Sequence, residues 1–319
     1  MKKHSSSGRP KLLTWLVAGL SGLATCLPLQ ANAQQIASNA AGVTNLTASS
    51  GLRLGAYDPY GTFKNKDRIK IEHIYVPWRD VDLSSLDTAY QYARERGRDM
   101  LITVEPWSWS PDERFSPQEA FTEILAHRFD QTISDICTKA GQMEGSVTIR
   151  WGHEMDVDNK RYTWSRWSPK QYITAYKYFV DQCRKSGPDL KFMWSPRGEK
   201  SLASYYPGDR YVDVIGLSIF ALQQQDKDKF GRDRTLQERV KNSYDRVVKY
   251  DKGVIIAEYG CDGSVQFEEA CWKQIDTLKA AYPKLEAVVY YNEVESYPWP
   301  NPYGLPDWRV SETIDVVLR

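Results

Sequence analysis

Neither sign of charge dominates this chain: 42 lysines and arginines stand against 41 aspartates and glutamates over 319 residues, for a net charge of +1. With both signs spread along the sequence there is no basic footprint for a phosphate backbone and no polybasic patch for a membrane surface, so nucleic acid is set aside as a partner. The short cofactor motifs are missing too. No G-x-G-x-x-G and no P-loop follows the first strand-like run, which removes the usual cradle for a nucleotide. No C-x-x-C or H-E-x-x-H spacing occurs, and the Asp156-x-Asp158 run lacks the glycine and distant glutamate of a calcium loop. His153, beside Glu154, Asp156 and Asp158, has no second histidine near in sequence. The expectation is a protein without metal or cofactor. From Leu52 onward no linker-like stretch interrupts the chain, which excludes a multidomain layout.

What is present begins with a processing segment. Lys2, Lys3, Arg9 and Lys11 form a positive region, Leu12 to Leu29 is an uncharged, mostly apolar run, and Ala31-Asn32-Ala33 is an A-x-A cleavage signal. The reading is a signal peptide over 1–33, a flexible leader rich in Ala, Ser, Thr and Asn over 34–50, and a folded domain over 51–319. Two alternatives stay open. The apolar run of 18 residues is long enough for a retained anchor, and Leu23-Ala24-Thr25-Cys26 approaches a lipoprotein box, with Thr25 where a smaller residue is normally required. The expected product is secreted or periplasmic, free of the membrane after cleavage, and a monomer. Four cysteines survive cleavage, an even number suited to an oxidising compartment. The favoured pairing joins Cys261 to Cys271, close in sequence, and Cys137 to Cys183, in two successive helices; four buried thiols are the alternative.

Short apolar runs alternate with amphipathic segments: Leu52–Tyr57, Ile69–Pro77, Met100–Glu105, Val147–Trp151, Lys191–Ser195, Val212–Ile219, Val254–Glu258 and Ala287–Asn292. Helix starts are legible at Ser116-Pro117 and Ser168-Pro169, each an N-cap residue followed by proline at the first helical position. Eight strands alternating with helices predict an α/β single domain, a (β/α)8 TIM barrel. In such a barrel the chemistry sits at the carboxyl ends of the strands. Those ends are acidic and aromatic here: Glu105-Pro106-Trp107, Trp151-Gly152-His153-Glu154-Met155 and Ala257-Glu258-Tyr259-Gly260. Glu154 and Glu258 would face each other across the barrel mouth, and glycoside hydrolysis needs two such carboxylates.

The motifs Arg150 to Met155, Tyr205 to Gly216 and Ile256 to Gly260, in that order, closely resemble glycoside hydrolase family 26, best known for β-mannanases and also holding β-glucanases and xylanases. The resemblance covers nearly the whole mature chain. It implies that Glu154 is the acid/base, Glu258 the nucleophile, and His153 a neighbour that holds the sugar and tunes the site. The chain departs from the family's pattern at two points. Asp156 stands where many mannanases carry Asn, and Ile219-Phe220 stands where they carry a tyrosine at the end of the sixth strand, so one hydrogen bond orienting Glu258 should be lost.

The aromatic content is 13%, with 11 tryptophans and 20 tyrosines, and much of it falls at strand ends. Indole faces suit the C–H faces of pyranose rings, so Trp78, Trp107, Trp164, Trp194, Phe220, Tyr259, Tyr291 and Trp299 are candidate substrate contacts together with His153 and Glu105; Trp109 belongs to the same group of strand-end indoles. Glu105 either lines the cleft or fixes Arg150 or His153, the latter being favoured. Arg150 and Trp151 are assigned to packing and support. The charged run from Gln225 to Arg239 reads as a solvated loop entering a helix, or as a lid. The expected function is a secreted retaining endo-β-glycosidase acting on a β-mannan, a β-glucan or an exopolysaccharide. The alternative is a catalytically decayed barrel that binds polysaccharide during exopolysaccharide export.

Overall fold

A computed structural model describes residues 51–79, 81–157 and 161–310 of the chain. The expected signal peptide, the leader and Asp158 lie outside the described residues. The eight apolar runs become parallel strands: β1 (Arg53–Tyr57), β2 (Ile69–Pro77), β3 (Asp99–Glu105), β4 (Val147–Trp151), β5 (Lys191–Trp194), β6 (Val214–Leu222), β7 (Gly253–Asp262) and β8 (Leu285–Tyr291). They hydrogen-bond in chain order, and β1 pairs with β8 to close a barrel. The helices are α1 (Leu83–Arg94), α2 (Pro117–Leu125), α3 (Asp130–Gly141), α4 (Pro169–Ser186), α5 (Gln223–Phe230), α6 (Leu236–Val247), α7 (Val265–Ile275) and α8 (Leu278–Ala281). None of the described helices is long and apolar enough to cross a membrane.

Local chemistry explains the helix starts. Ser116 and Ser168 each accept a hydrogen bond from the backbone three residues on, while Glu119 and Gln171 reach back to the cap residue's own N–H, a reciprocal closure of two otherwise unpaired donors. Two expectations need correction. Strands β6 and β7 run three and four residues past their expected ends, because Phe220 to Leu222 continue the ladder against Gly260 to Asp262; the polar Glu258 and the glycine after it hid that continuation. The run from Gln225 to Arg239 holds more helix than the expected loop, although a short turn does lead into a helix as expected. It is helix α5, a turn at Gly231 with φ +68°, and the start of α6. Its charges are partly internal, since the fully buried Asp226 carboxylate takes the guanidinium groups of Arg234 and Arg239.

Because side chains alternate along a strand, the barrel interior is filled in layers. The lowest is apolar, made of Ile71, Leu101, Met193, Val214, Ala287 and Val289. Above it lies a polar layer of His73, Thr103, Arg150 and Ser195, whose members bond one another from each strand to the next. Gly216 belongs to this level because a Cβ there would sit 2.6 Å from the Ser195 hydroxyl oxygen. Outside the barrel, Cys137 on α3 joins Cys183 on α4, and Cys261 on β7 joins Cys271 on α7, the favoured pairing.

Candidate active site

Glu154 and Glu258 reach the barrel mouth through two local irregularities. After β4 the backbone turns through Gly152 (φ +56°) and Glu154 (φ +53°), and the Glu154 N–H donates to the Ser195 carbonyl across to the end of β5, at 2.8 Å. A left-handed conformation costs a non-glycine residue about 1 kcal/mol or more. The barrel sustains that strain at the residue expected to carry chemistry. On β7, Leu217 pairs with Ile256 but the next residue, Ser218, pairs with Glu258, so Ala257 is an extra residue. Such a bulge re-aims the side chain beside it, here Glu258 into the mouth.

The two carboxylates are equally buried, each 6% exposed, in unlike surroundings. Arg150, fully buried on β4, forms an ion pair with Glu258 Oε1 and donates to Ser195 Oγ at 2.8 Å. The Tyr75 hydroxyl, from β2, donates to the same carboxylate oxygen at 2.8 Å. Burial and the neighbouring Glu258 charge push the Tyr75 phenol well above its ordinary range, so it stays a donor. The hydroxyl expected to be missing at the end of β6 is thus replaced from the opposite wall.

Among the described residues Glu154 is not gripped by such a pair of donors. Its carboxyl pKa is raised, first by burial and then by the Glu258 charge, against the opposing influence of Arg197, Arg150 and a Ser218 hydrogen bond. Arg197, just beyond β5, brings Nη1 to 4.0 Å from Glu154 Oε2. His153 is buried, with Nε2 3.1 Å from the Tyr162 hydroxyl and 3.9 Å from Glu258 Oε1. Burial, then the positive charges of Arg150 and Arg161, hold its pKa well below the usual imidazole value, so the ring is neutral. A carboxyl group with raised proton affinity therefore stands beside an ion-paired carboxylate.

Aromatic rings surround them. Tyr57 stacks on Tyr291 at 5.3 Å and meets Tyr75 edge-on at 4.8 Å. Phe220 lies between Tyr291 and Trp299. Trp109 is 38% exposed at the lip.

Comparison with known proteins bears on this geometry. The model for glycosyl hydrolase family 26 matches residues 116–296, more than half of the chain and inclusive of both glutamates. The chain belongs to glycoside hydrolase family 26. A mannan endo-1,4-β-mannosidase from Bifidobacterium adolescentis is 28% identical over 117 residues, 34% of this chain and 12% of that protein. A β-1,3-xylanase from an Alcaligenes species is 23% identical over 113 residues, 33% of this chain and 23% of that protein. The match therefore spans under a quarter of those relatives' length. Among solved structures, a modular endo-β-1,4-mannanase from Cellulomonas fimi superposes with a TM-score of 0.60 at 15% identity, covering 77% of this chain and 66% of that one. A family 26 β-mannanase from Bacteroides ovatus gives 0.58 at 16%, covering 76% and 80%. Both share the barrel.

Within this family 26 site several expected contacts are placed elsewhere. Trp78 is buried under the loops, stacked on Phe129 at 4.3 Å, and Trp194 is enclosed by Tyr206 and Tyr250. Tyr259 points outward from β7 against Tyr290, because its neighbour Glu258 takes the inward position. Trp164 is fully buried and works from behind, its indole N–H donating to the His153 carbonyl at 2.6 Å. His153 presents almost no surface, and its ring lies between Tyr162 and the Glu258 carboxylate. Glu105 fixes neither Arg150 nor His153; it accepts the indole N–H groups of Trp107 at 3.1 Å and Trp109 at 2.6 Å. Trp107 is buried beneath the Arg114 guanidinium. Phe220, Tyr291 and Trp299 remain half-buried at the mouth.

Asp156 accepts the backbone N–H groups of Arg197 (2.7 Å), Gly198 (3.0 Å) and Glu199 (2.7 Å). Its two carboxylate oxygens hold the loop after β5, a task an amide oxygen alone would share out poorly. Among the described residues no cluster of three or more His, Cys, Asp or Glu is arranged to hold a metal. Sequence reading missed Tyr75, Tyr162 and Arg197. The signal for Tyr75 was available: Ile71, His73 and Tyr75 lie two apart on one strand face.

Proposed function

We propose that this protein is an exported retaining glycoside hydrolase that cuts within a β-linked polysaccharide of the mannan or glucan class, with Glu154 as acid/base and Glu258 as nucleophile. The observation that carries the reading is the unequal environment of two carboxylates at one mouth: Glu258 is gripped by Arg150 and Tyr75, whereas burial keeps Glu154 protonated more readily. In the first step Glu258 would attack the anomeric carbon, the bond to the leaving oxygen would break, and Glu154 would give that oxygen its proton. Esterified Glu258 carries no charge. The repulsion that raises the Glu154 pKa then disappears, and Glu154 can take a proton from the water that hydrolyses the intermediate.

Aromatic rings spread over several strand ends support binding of a chain on both sides of the cut. Two disulfides support an oxidising compartment, in keeping with a mature protein beginning near Gln34. Release of reducing ends from mannan, mixed-linkage glucan, cellulose or xylan would test the activity; binding without cleavage would favour a decayed barrel instead. Proton NMR of the earliest product, before mutarotation, should show the β-anomer. An initial α-anomer would overturn Glu258 as nucleophile.

A further inference from the structure

We propose that Arg197 forms a carboxylate-binding subsite on the leaving-group side of the cleft, so that the polysaccharide accepted here carries a uronic acid next to the bond that is cut. This rests on the glycosidase reading above and names its substrate more closely.

Among the described residues, Arg150, Arg161 and Arg197 bring positive charge toward the two glutamates, and the first two are committed. Arg150 is paired with Glu258, and Arg161 donates to Glu295 at 2.9 Å. Arg197 differs. Its Nη1 lies 4.0 Å from Glu154, too far for a hydrogen bond, and no hydrogen bond from its guanidinium is found among the described residues. The side chain is 36% exposed, yet its base is rigid: the Arg197 N–H is held by Asp156 at 2.7 Å, and the next carbonyl, Gly198, accepts from Arg246 at 2.6 Å. A planar fork of five donors is thus presented to solvent at a fixed place. Facing it at 6.0 Å is the half-buried ring of Trp299, itself pinned by Glu295. Ring and fork together suit a sugar bearing a carboxylate, which guanidinium binds through two parallel hydrogen bonds.

Arg197 approaches Glu154 and not Glu258, which places it beside the residue that protonates the leaving oxygen. With a neutral chain its charge opposes protonation of Glu154, the wrong direction for a general acid. A bound carboxylate would cancel that charge and restore the proton when substrate is present. The other groups facing Glu154 are Arg150 from β4, His153 and Tyr162 beyond β4, Ser218 from β6 and Glu258 from β7, and none of these changes charge with substrate carboxylation.

The test compares each polysaccharide in neutral and acidic form: mannan, mixed-linkage glucan and cellulose before and after oxidation of some primary hydroxyls to carboxylates, and xylan with and without glucuronate branches. Wild type should favour the acidic form by about tenfold or more in kcat/KM, and Arg197→Gln should bring the ratio near one. The basic limb of kcat should lie at higher pH with the acidic chain, a difference that Arg197→Gln abolishes. In parallel, calorimetry with inactive Glu258→Gln should show tighter binding of acidic than neutral oligosaccharides, lost on adding Arg197→Gln. Cleavage of neutral chains with no acidic preference would overturn the subsite and leave the glycosidase standing. Arg197-dependent binding of acidic chains without any cleavage would uphold the subsite and overturn the glycosidase; neither binding nor cleavage would overturn both.

Discussion

The Tyr75 hydroxyl on β2 donates to Oε1 of Glu258 on β7, so a residue 183 positions away in the chain orients the expected nucleophile across the barrel. A hydrogen bond to a charged acceptor is worth about 1.5–3 kcal/mol. Tyr75→Phe should therefore lower kcat by about 10- to 100-fold on every substrate while KM changes little. Arg150 still holds the carboxylate, so the fold should survive. Equal loss in KM with kcat intact would assign Tyr75 to substrate binding instead.

Glu154 and Glu258 should separate in variants. Glu258→Ala should lose turnover on every substrate. Glu154→Ala should keep the first step on aryl glycosides whose leaving group needs no proton, and azide should restore turnover by replacing the missing base. Equal loss in both variants, with no azide rescue, would contradict the division of roles.

His73 and His153 are buried neutral, burial being the first cause for each and the charge of Arg150 the second. Their folded pKa values lie well below the ordinary value of 6.5. Below that value the unfolded chain binds protons that the folded one refuses, so stability falls as pH drops. Each histidine should contribute a slope of up to about 1.4 kcal/mol per pH unit between roughly pH 6.5 and 5. Urea midpoints across that window should show it, and a pH-independent midpoint would refute it.

Tryptophans that look alike in sequence should behave differently. Trp78→Ala removes a core side chain and should cost about 3–5 kcal/mol of stability. Trp299→Ala should leave the melting temperature nearly unchanged and raise KM. Thermal melts beside steady-state kinetics decide between them, and the reverse pattern would place Trp78 in the cleft.

The disulfides should differ in weight. Cys137–Cys183 closes a separation of 46 residues and Cys261–Cys271 one of 10. Chain-entropy reasoning then puts the losses at about 4 and about 3 kcal/mol for the paired serine variants. Alkylation of the unreduced protein that labels any of the four would show that the bridges are absent.

The sequence by itself determined the barrel and the two glutamates. Eight apolar runs, two N-cap residues each followed by proline and three motifs are local patterns, and each strand was placed within a few residues because hydrophobic runs and caps act over a handful of neighbours. It also favoured both cysteine pairs, one because successive barrel helices lie side by side and the other because its members are close in sequence. Only the tertiary structure decided which strand-end aromatics face the cleft. Trp78, Trp194 and Tyr259 are turned away by loop packing and by a one-residue bulge that no local pattern announces. Tyr75 against Glu258, Glu105 against two indoles, and Asp156 against three amides are partnerships between distant segments. Closure of the barrel brings such residues together, and a linear sequence carries no distance between them.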